Sequence, residues 1–330
     1  MKRALSALAV VIAAAAFIAG GVVVWGNETF EKPGPLADDA VIVINRGVGL
    51  RTIAAQLENA GILRYRLLFV AKAKWSGAHR DLKAGEYSFA AGVSPAAALA
   101  KIREGDVVIH RITIPEGLTS RQVAALIEAA PALHGKLPGI PAEGSLLPET
   151  YDYIFGDTRD SLVRRMTKAR DTALAKLWQN RAEGLPLPDP RSASILASIV
   201  EKETAEPAER PRIAAVFINR LRRGMRLQSD PTVVYALSGG KGPLARPLTR
   251  ADLAIDNPYN TYVIKRLPPG PIANPGTASL AAVLQPAKTN ELYFVADGAG
   301  GHAFSKTLRE HNRNVARWRR LQRKMRSQAK

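Results

Sequence analysis

Ile195-Leu196-Ala197-Ser198-Ile199-Val200-Glu201-Lys202-Glu203-Thr204 carries apolar residues at helical spacing, inside a helix expected from about Ser192 to Ala205. Ile195, Leu196, Ile199 and Val200 form one stripe. A step of three from Val200 and a step of four from Ile199 both arrive at Glu203. Glu203 therefore continues the apolar face, whereas Glu201 follows Ala197 and Ser198 on a small, polar face beside Lys202. A carboxyl among apolar neighbours loses hydration when it ionises, so its pKa rises. A carboxylic acid still protonated near neutrality is what general acid catalysis requires. Helix phase alone equally allows a structural ion pair with Arg220, Arg222, Arg223 or Arg226.

Upstream of this helix a pattern occurs twice, 70 residues apart and without a gap. Val41-Ile42-Val43-Ile44, Gly47, Arg51, Ala54-Ala55 and Glu58 are matched by Ile112-Thr113-Ile114, Gly117, Arg121, Ala124-Ala125 and Glu128. Each copy reads as a short strand, a glycine turn and an amphipathic helix. In the first helix Ile53, Leu57 and Ala60 share one face. Between the copies Ala84–Phe89 alternates like an exposed strand, and Ser94 caps a helix from Pro95 to Arg103 with proline at its first position.

At the N-terminus Lys2 and Arg3 precede an uncharged run from Ala4 to Gly26. As a helix it spans about 34 Å, enough to cross a hydrocarbon core of about 30 Å. The leading positive charges keep that end cytoplasmic and place the remainder across the membrane, with Trp25 at the exit. A cleaved signal peptide is the other reading, but the apolar run outlasts a signal h-region of about 7–15 residues, so an uncleaved anchor is favoured. Residues 27–40, with Lys32-Pro33-Gly34-Pro35, read as a linker.

Of the 330 residues 46% are apolar, which allows a packed core, and none is cysteine, which excludes disulfides and thiolate metal sites. The net charge of +18 asks for an anionic partner. Arg309, Arg313, Arg317, Arg319, Arg320, Arg323, Lys324, Arg326 and Lys330 stand against Glu310 alone. They read either as a solvated helical tail or as a surface for anionic lipid heads or acidic wall polymers. Export argues against nucleic acid, no P-loop or dinucleotide fingerprint is present, and no cofactor is expected. His79, His110, His134, His302 and His311 lack metal-ligand spacing, so no metal site is expected either.

The paired strand–helix units resemble a LysM-type glycan-binding domain; a repeat that binds nothing remains the alternative. The segment Ala197–Thr204 resembles the signature of the YceG-like endolytic murein transglycosylases. Further segments match in order: Val216–Leu221, Gly224–Val233, Tyr259–Tyr262, Arg266–Ile272, Asn274-Pro275-Gly276, Tyr293–Gly298 and Gly301–Phe304. One departure is Arg266, where glycine is expected. Glu203-Thr204 also fits the Glu-Ser/Thr pair of the wider lytic transglycosylases, and Glu201-Lys202 does not.

The resemblance implies an α+β chain with four segments: an anchor (1–26), a linker (27–40), a LysM-like domain (41–140) and a YceG-like catalytic domain (141–330). It implies an enzyme of the bacterial inner membrane, its catalytic domain periplasmic, that cuts the MurNAc-β-1,4-GlcNAc bond of nascent peptidoglycan strands beside penicillin-binding synthases. Glu203 protonates the leaving oxygen and then, as base, activates the MurNAc C6 hydroxyl, leaving a 1,6-anhydro end and terminating elongation. Gln228, Asp230, Asn260 and Tyr262 are expected around the sugars, with Glu149 in the same groove. Each has a plain alternative role in its loop, since Asp230-Pro231 and Asn257-Pro258 are ordinary turn formers. A hydrolytic muramidase using Asp230 to activate water, and a non-catalytic wall-binding anchor, are the competing functions.

Overall fold

Val41-Ile42-Val43-Ile44 is β-branched throughout, a composition that suits a pleated, half-buried surface. The computed structural model describes residues 2–204 and 206–328. Ala205 and Lys330, which closed the expected helix and the basic tail, lie outside the described residues. The chain is α+β and divides into two units: the residues up to His110 with Asp152–Gly156, and Arg111–Tyr151 with Asp157 onward.

The first unit opens with α1 (Lys2–Glu31), whose stretch Leu5–Glu31 is long and apolar enough to cross a membrane by length and composition. Leu8, Phe17 and Val23 are exposed along it. The linker expected from Asn27 starts only after Glu31, because the last turn is held by packing: Phe30 is buried, 6.3 Å from the Phe69 ring. Then follow β1 (Ala40–Ile44), α2 (Leu50–Asn59), α3 (Arg66–Trp75), β2 (Gly85–Phe89) and α4 (Pro95–Glu104). β2 pairs antiparallel with β1, Ile42 opposite Tyr87. The expectation of an exposed strand is corrected here. Tyr87 and Phe89 are among the largest fully buried side chains, and the alternation turns its aromatic face inward. Ser94 caps α4 as expected, its Oγ accepting from the Ala97 amide at 3.2 Å.

The chain leaves the first unit within β3 (Ile109–Thr113). The second repeat copy, with α5 (Ser120–Ala129), lies in the second unit, and β4 (Thr150–Ile154) pairs with β3. Gly47 and Gly117 both adopt positive φ, +81° and +76°, which favours glycine at the turn of each copy. The second unit continues with α6 (Arg159–Gln179), α7 (Pro190–Glu203), α8 (Arg210–Arg222), α9 (Asp230–Ser238) and α10 (Thr277–Leu284). The hairpin β5 (Tyr293–Ala296)–β6 (His302–Ser305) and then α11 (Leu308–Gln328) close it.

α7 lies at the centre of this unit, packed against α6, α8, α9 and α10. Leu196, Ile199 and Val200 meet Ile213, Phe217, Leu280 and Val283 in its core. Each such side chain contributes roughly 1.5–3 kcal/mol on burial. The single apolar stripe expected for this helix is too narrow, since every residue from Ala193 to Val200 is buried. The Asp189 carboxylate caps its start, accepting from the Ser192 amide at 2.7 Å, and Pro190 occupies the first turn.

Candidate active site

α7 ends at Glu203: Thr204 is already extended, and Pro207 soon follows. The negative end of the helix dipole therefore adjoins the Glu203 carboxyl, which disfavours its ionised form. Its hydrogen-bond partner is Ser229, whose Oγ donates to Oε1 at 2.5 Å. No arginine lies within ion-pair distance of it among the described residues, so the structural-pair reading fails at this position. Burial pushes the carboxyl up to about 7, and the charge of Asp230 adds to the rise; Ser229, His302 and Arg220 offset it in part.

The ion pair belongs to Glu201 instead. Its Oε1 accepts from Arg210 Nη2 at 3.2 Å and its Oε2 from the Gly276 amide at 2.9 Å, with the side chain only 4% exposed. Glu201 is thus buried as well, contrary to the polar face expected for it. α8 supplies Arg210 and the Asn274-Pro275-Gly276 turn supplies the amide, partners distant in sequence. The two glutamates differ in what covers them: Glu201 is neutralised, Glu203 is not.

Glu203 lines a cleft of 490 Å³ together with Arg220, Gln228, Asp230, Tyr262, Tyr293 and His311. Three of the residues expected around it are present. Tyr262 donates its hydroxyl to Asp230 Oδ1 at 2.6 Å, and burial, then that bond, hold its pKa well above the ordinary phenol value. Gln228 stands exposed at φ +53°, a left-handed conformation that is uncommon outside glycine, while its backbone N–H donates to the Thr261 carbonyl at 3.1 Å. Such strain collects at functional sites and costs roughly 1–3 kcal/mol. Gln228→Gly is expected to raise stability by about 1 kcal/mol, read from the urea midpoint, while slowing turnover through loss of the side-chain carboxamide.

Asn260 and Glu149 are not brought to the cleft. Asn260 is fully buried, its Nδ2 donating to the Leu253 and Ile255 carbonyls at 3.1 and 2.9 Å and its Oδ1 accepting from the Tyr262 amide. It clamps the loop that carries Tyr262. Glu149 is exposed and does not line this cleft.

Several residues escaped the reading of the sequence. Ser229 stands at the N-cap of α9 yet makes no capping bond, because its hydroxyl is turned to Glu203. A serine directly before the Asp230-Pro231 helix start was the available signal. Arg220 is buried and supports both flanks of the cleft, donating to the Leu292 and Leu227 carbonyls at 2.7 and 2.6 Å. His302 is held by Glu209 at 2.6 Å, and His311 stacks on Tyr293. Burial, then the Arg220 charge, push His311 below its ordinary value.

Ser229→Ala removes a donor that favours ionised Glu203, so the Glu203 pKa rises further. The alkaline limb of the rate profile is expected to move to higher pH. A limb that stays or moves down contradicts the pairing.

The YceG-like family model matches residues 42–317, across both units and every element of the cleft. The chain belongs to the YceG-like family. An endolytic murein transglycosylase of Bacillus subtilis is 32% identical over 90% of this chain and 89% of its own length. One from Streptococcus pneumoniae is 30% identical over 83% of the chain, which spans 57% of that longer relative. The crystal structure of a YceG-like protein from Listeria monocytogenes covers 84% of the chain and 99% of its own, at 33% identity and a TM-score of 0.51. The family match thus includes Glu203, Ser229, Asp230, Tyr262 and His302.

Proposed function

We propose that the chain is an endolytic murein transglycosylase, a lyase acting on polysaccharide, that cuts the MurNAc-β-1,4-GlcNAc bond of nascent glycan strands and leaves a 1,6-anhydro-MurNAc end. The observation that carries this is Glu203 itself: a carboxyl lining a cleft, with no cationic side chain at ion-pair distance among the described residues, and pushed by burial up to about 7. Protonated, it delivers its proton to the leaving glycosidic oxygen. Positive charge then develops at the MurNAc anomeric carbon, where the substrate's own acetamido oxygen stabilises it. Ionised, Glu203 is stabilised by the Ser229 hydroxyl and takes the proton of the MurNAc C6 hydroxyl as that oxygen attacks the anomeric carbon. The proton returns to Glu203 and no water is consumed. An acid followed by a base on one residue suits a pKa near the working pH. The names of the related B. subtilis and S. pneumoniae proteins support the substrate and the reaction class.

Gln228, Asp230 and Tyr262 bind the sugar beside the cut; Asn260 acts by holding the Tyr262 loop. Asp230 in the same cleft favours a hydrolytic muramidase as the second reading, with that carboxylate activating water in the two-carboxylate manner. The Tyr262 hydroxyl on Asp230 Oδ1 favours a fixed, substrate-binding role instead.

The apolar helix of the first unit anchors the chain in the inner membrane with its N-terminus cytoplasmic, and residues 41–140 form a LysM-like module ahead of a catalytic region over 141–330. Cutting there ends strand elongation beside a penicillin-binding synthase. The basic face of α11 suits an anionic membrane surface. Glycan strand length in cells tests the role: strands lengthen when Glu203→Gln replaces the parent, and unchanged lengths exclude a terminase.

A further inference from the structure

A second cleft, of 680 Å³, opens beside the first. Asp230 lines both, and the consecutive residues Lys202 and Glu203 divide between them, Lys202 in the second and Glu203 in the first. The two are therefore adjoining stretches of one groove that passes the end of α7, with Glu203 near their junction. All of the residues that line it belong to the second unit.

Its walls suit a sugar. Val234, Tyr235 and Leu244 offer apolar and aromatic surface for pyranose faces, and the Tyr235 ring is fixed by a hydroxyl bond to Glu143 Oε2 at 3.3 Å and by the Tyr259 ring at 4.9 Å. Gln122 supplies a polar group. Its Oε1 is taken by the capping box of α5, accepting from the Thr119 amide at 3.0 Å, while Nε2, which makes no hydrogen bond among the described residues, lies beside Gly242 in the cleft lining. A free amide donor beside apolar walls is the arrangement that recognises an acetamido carbonyl or a ring hydroxyl.

We infer that this second cleft binds the N-acetylated glycan strand on the side of the scissile bond opposite to the Glu203 cleft, so that a strand lies through both and is cut internally. The inference rests on the glycan-cleaving reading of the Glu203 site. It gives internal cutting a structural cause: sugars are held on both sides of the bond, whereas a groove closed at one end admits only strand termini.

The test compares cleavage of tetrasaccharide and octasaccharide fragments of peptidoglycan, freed of cross-links, by the full chain in detergent. The octasaccharide fills both clefts, so its kcat/KM is expected to exceed that of the tetrasaccharide by about tenfold or more. Val234→Trp fills the second cleft and brings the ratio toward one. Gln122→Glu keeps the cap acceptor, and so the fold, while removing the two donors; it lowers the ratio by about fivefold, the effect of one lost hydrogen bond. A parent enzyme without length preference, or a preference that both variants retain, overturns the inference. The chemical nature of the new end is scored separately. Hydrated ends made with a cleft-dependent length preference overturn the transglycosylation chemistry and uphold the second cleft; anhydro ends made without that preference do the reverse.

Discussion

Glu203→Gln lowers strand cleavage by about 10³-fold or more, since the one group that acts as acid and then as base is replaced by an amide that does neither. The same substitution stabilises the fold at neutral and alkaline pH. Folded Glu203 titrates near 7 against an ordinary value of 4.5, so the folded state favours the proton. Below 4.5 the carboxyl is protonated in both the folded and the unfolded chain, and the stability associated with it is fully present. As the pH rises through the folded value that stability is lost, levelling off at on the order of 3 kcal/mol. The glutamine variant escapes this loss. Urea unfolding is expected to give matching midpoints for the two proteins near pH 4 and a higher midpoint for the variant near pH 8. The rate of the parent enzyme falls as the pH rises past about 7, because the acid form is depleted. A variant less stable than the parent at alkaline pH contradicts a desolvated Glu203.

Arg220→Met has the largest expected effect on stability. The buried guanidinium donates to the Leu292 and Leu227 carbonyls and lies 5.2 Å from the centre of the Tyr293 ring. Losing two charge-assisted bonds of roughly 1.5–3 kcal/mol each, with buried carbonyls left unpaired, costs about 3–5 kcal/mol, read from the urea midpoint. The cleft walls built by Leu227-Gln228 and by β5 loosen together, so turnover falls as well. Arg220 also lowers the Glu203 pKa, so its removal moves the alkaline limb of the rate upward. Arg220→Lys separates the two effects: the charge keeps the limb near its parent position, while the lost planar fork leaves the stability low. A methionine variant as stable as the parent contradicts the role given to these bonds.

What was legible in the sequence followed local geometry. The positive-φ glycines at 47 and 117 marked the turns of both copies, and Ser94-Pro95 marked a helix start. What was missed depended on contacts between distant segments. Phase reports which residues share a stripe and nothing about what is laid over the others, so the burial of Glu201 by Arg210 and Gly276 was invisible. Asn260 had the chemistry of a sugar ligand, but its amide is used within its own loop, an outcome that residue type alone does not decide. Ala84–Phe89 alternated correctly, yet alternation does not say which face is covered, and α3 places Phe69 in the same core as Tyr87 and Phe89. The second cleft, shared with the first through Asp230, had no signature in the sequence, because its walls come from α5, α7, α9 and the loop after α9.

The most direct test of Glu203 as acid and then base is mass analysis of the strand ends released from peptidoglycan by the parent enzyme and by Glu203→Gln. Transglycosylation gives 1,6-anhydro-MurNAc ends, each lighter than a reducing end by one water, and the variant gives almost none. Hydrated reducing ends from the parent enzyme, or anhydro ends still formed at the parent rate by Glu203→Gln, contradict it.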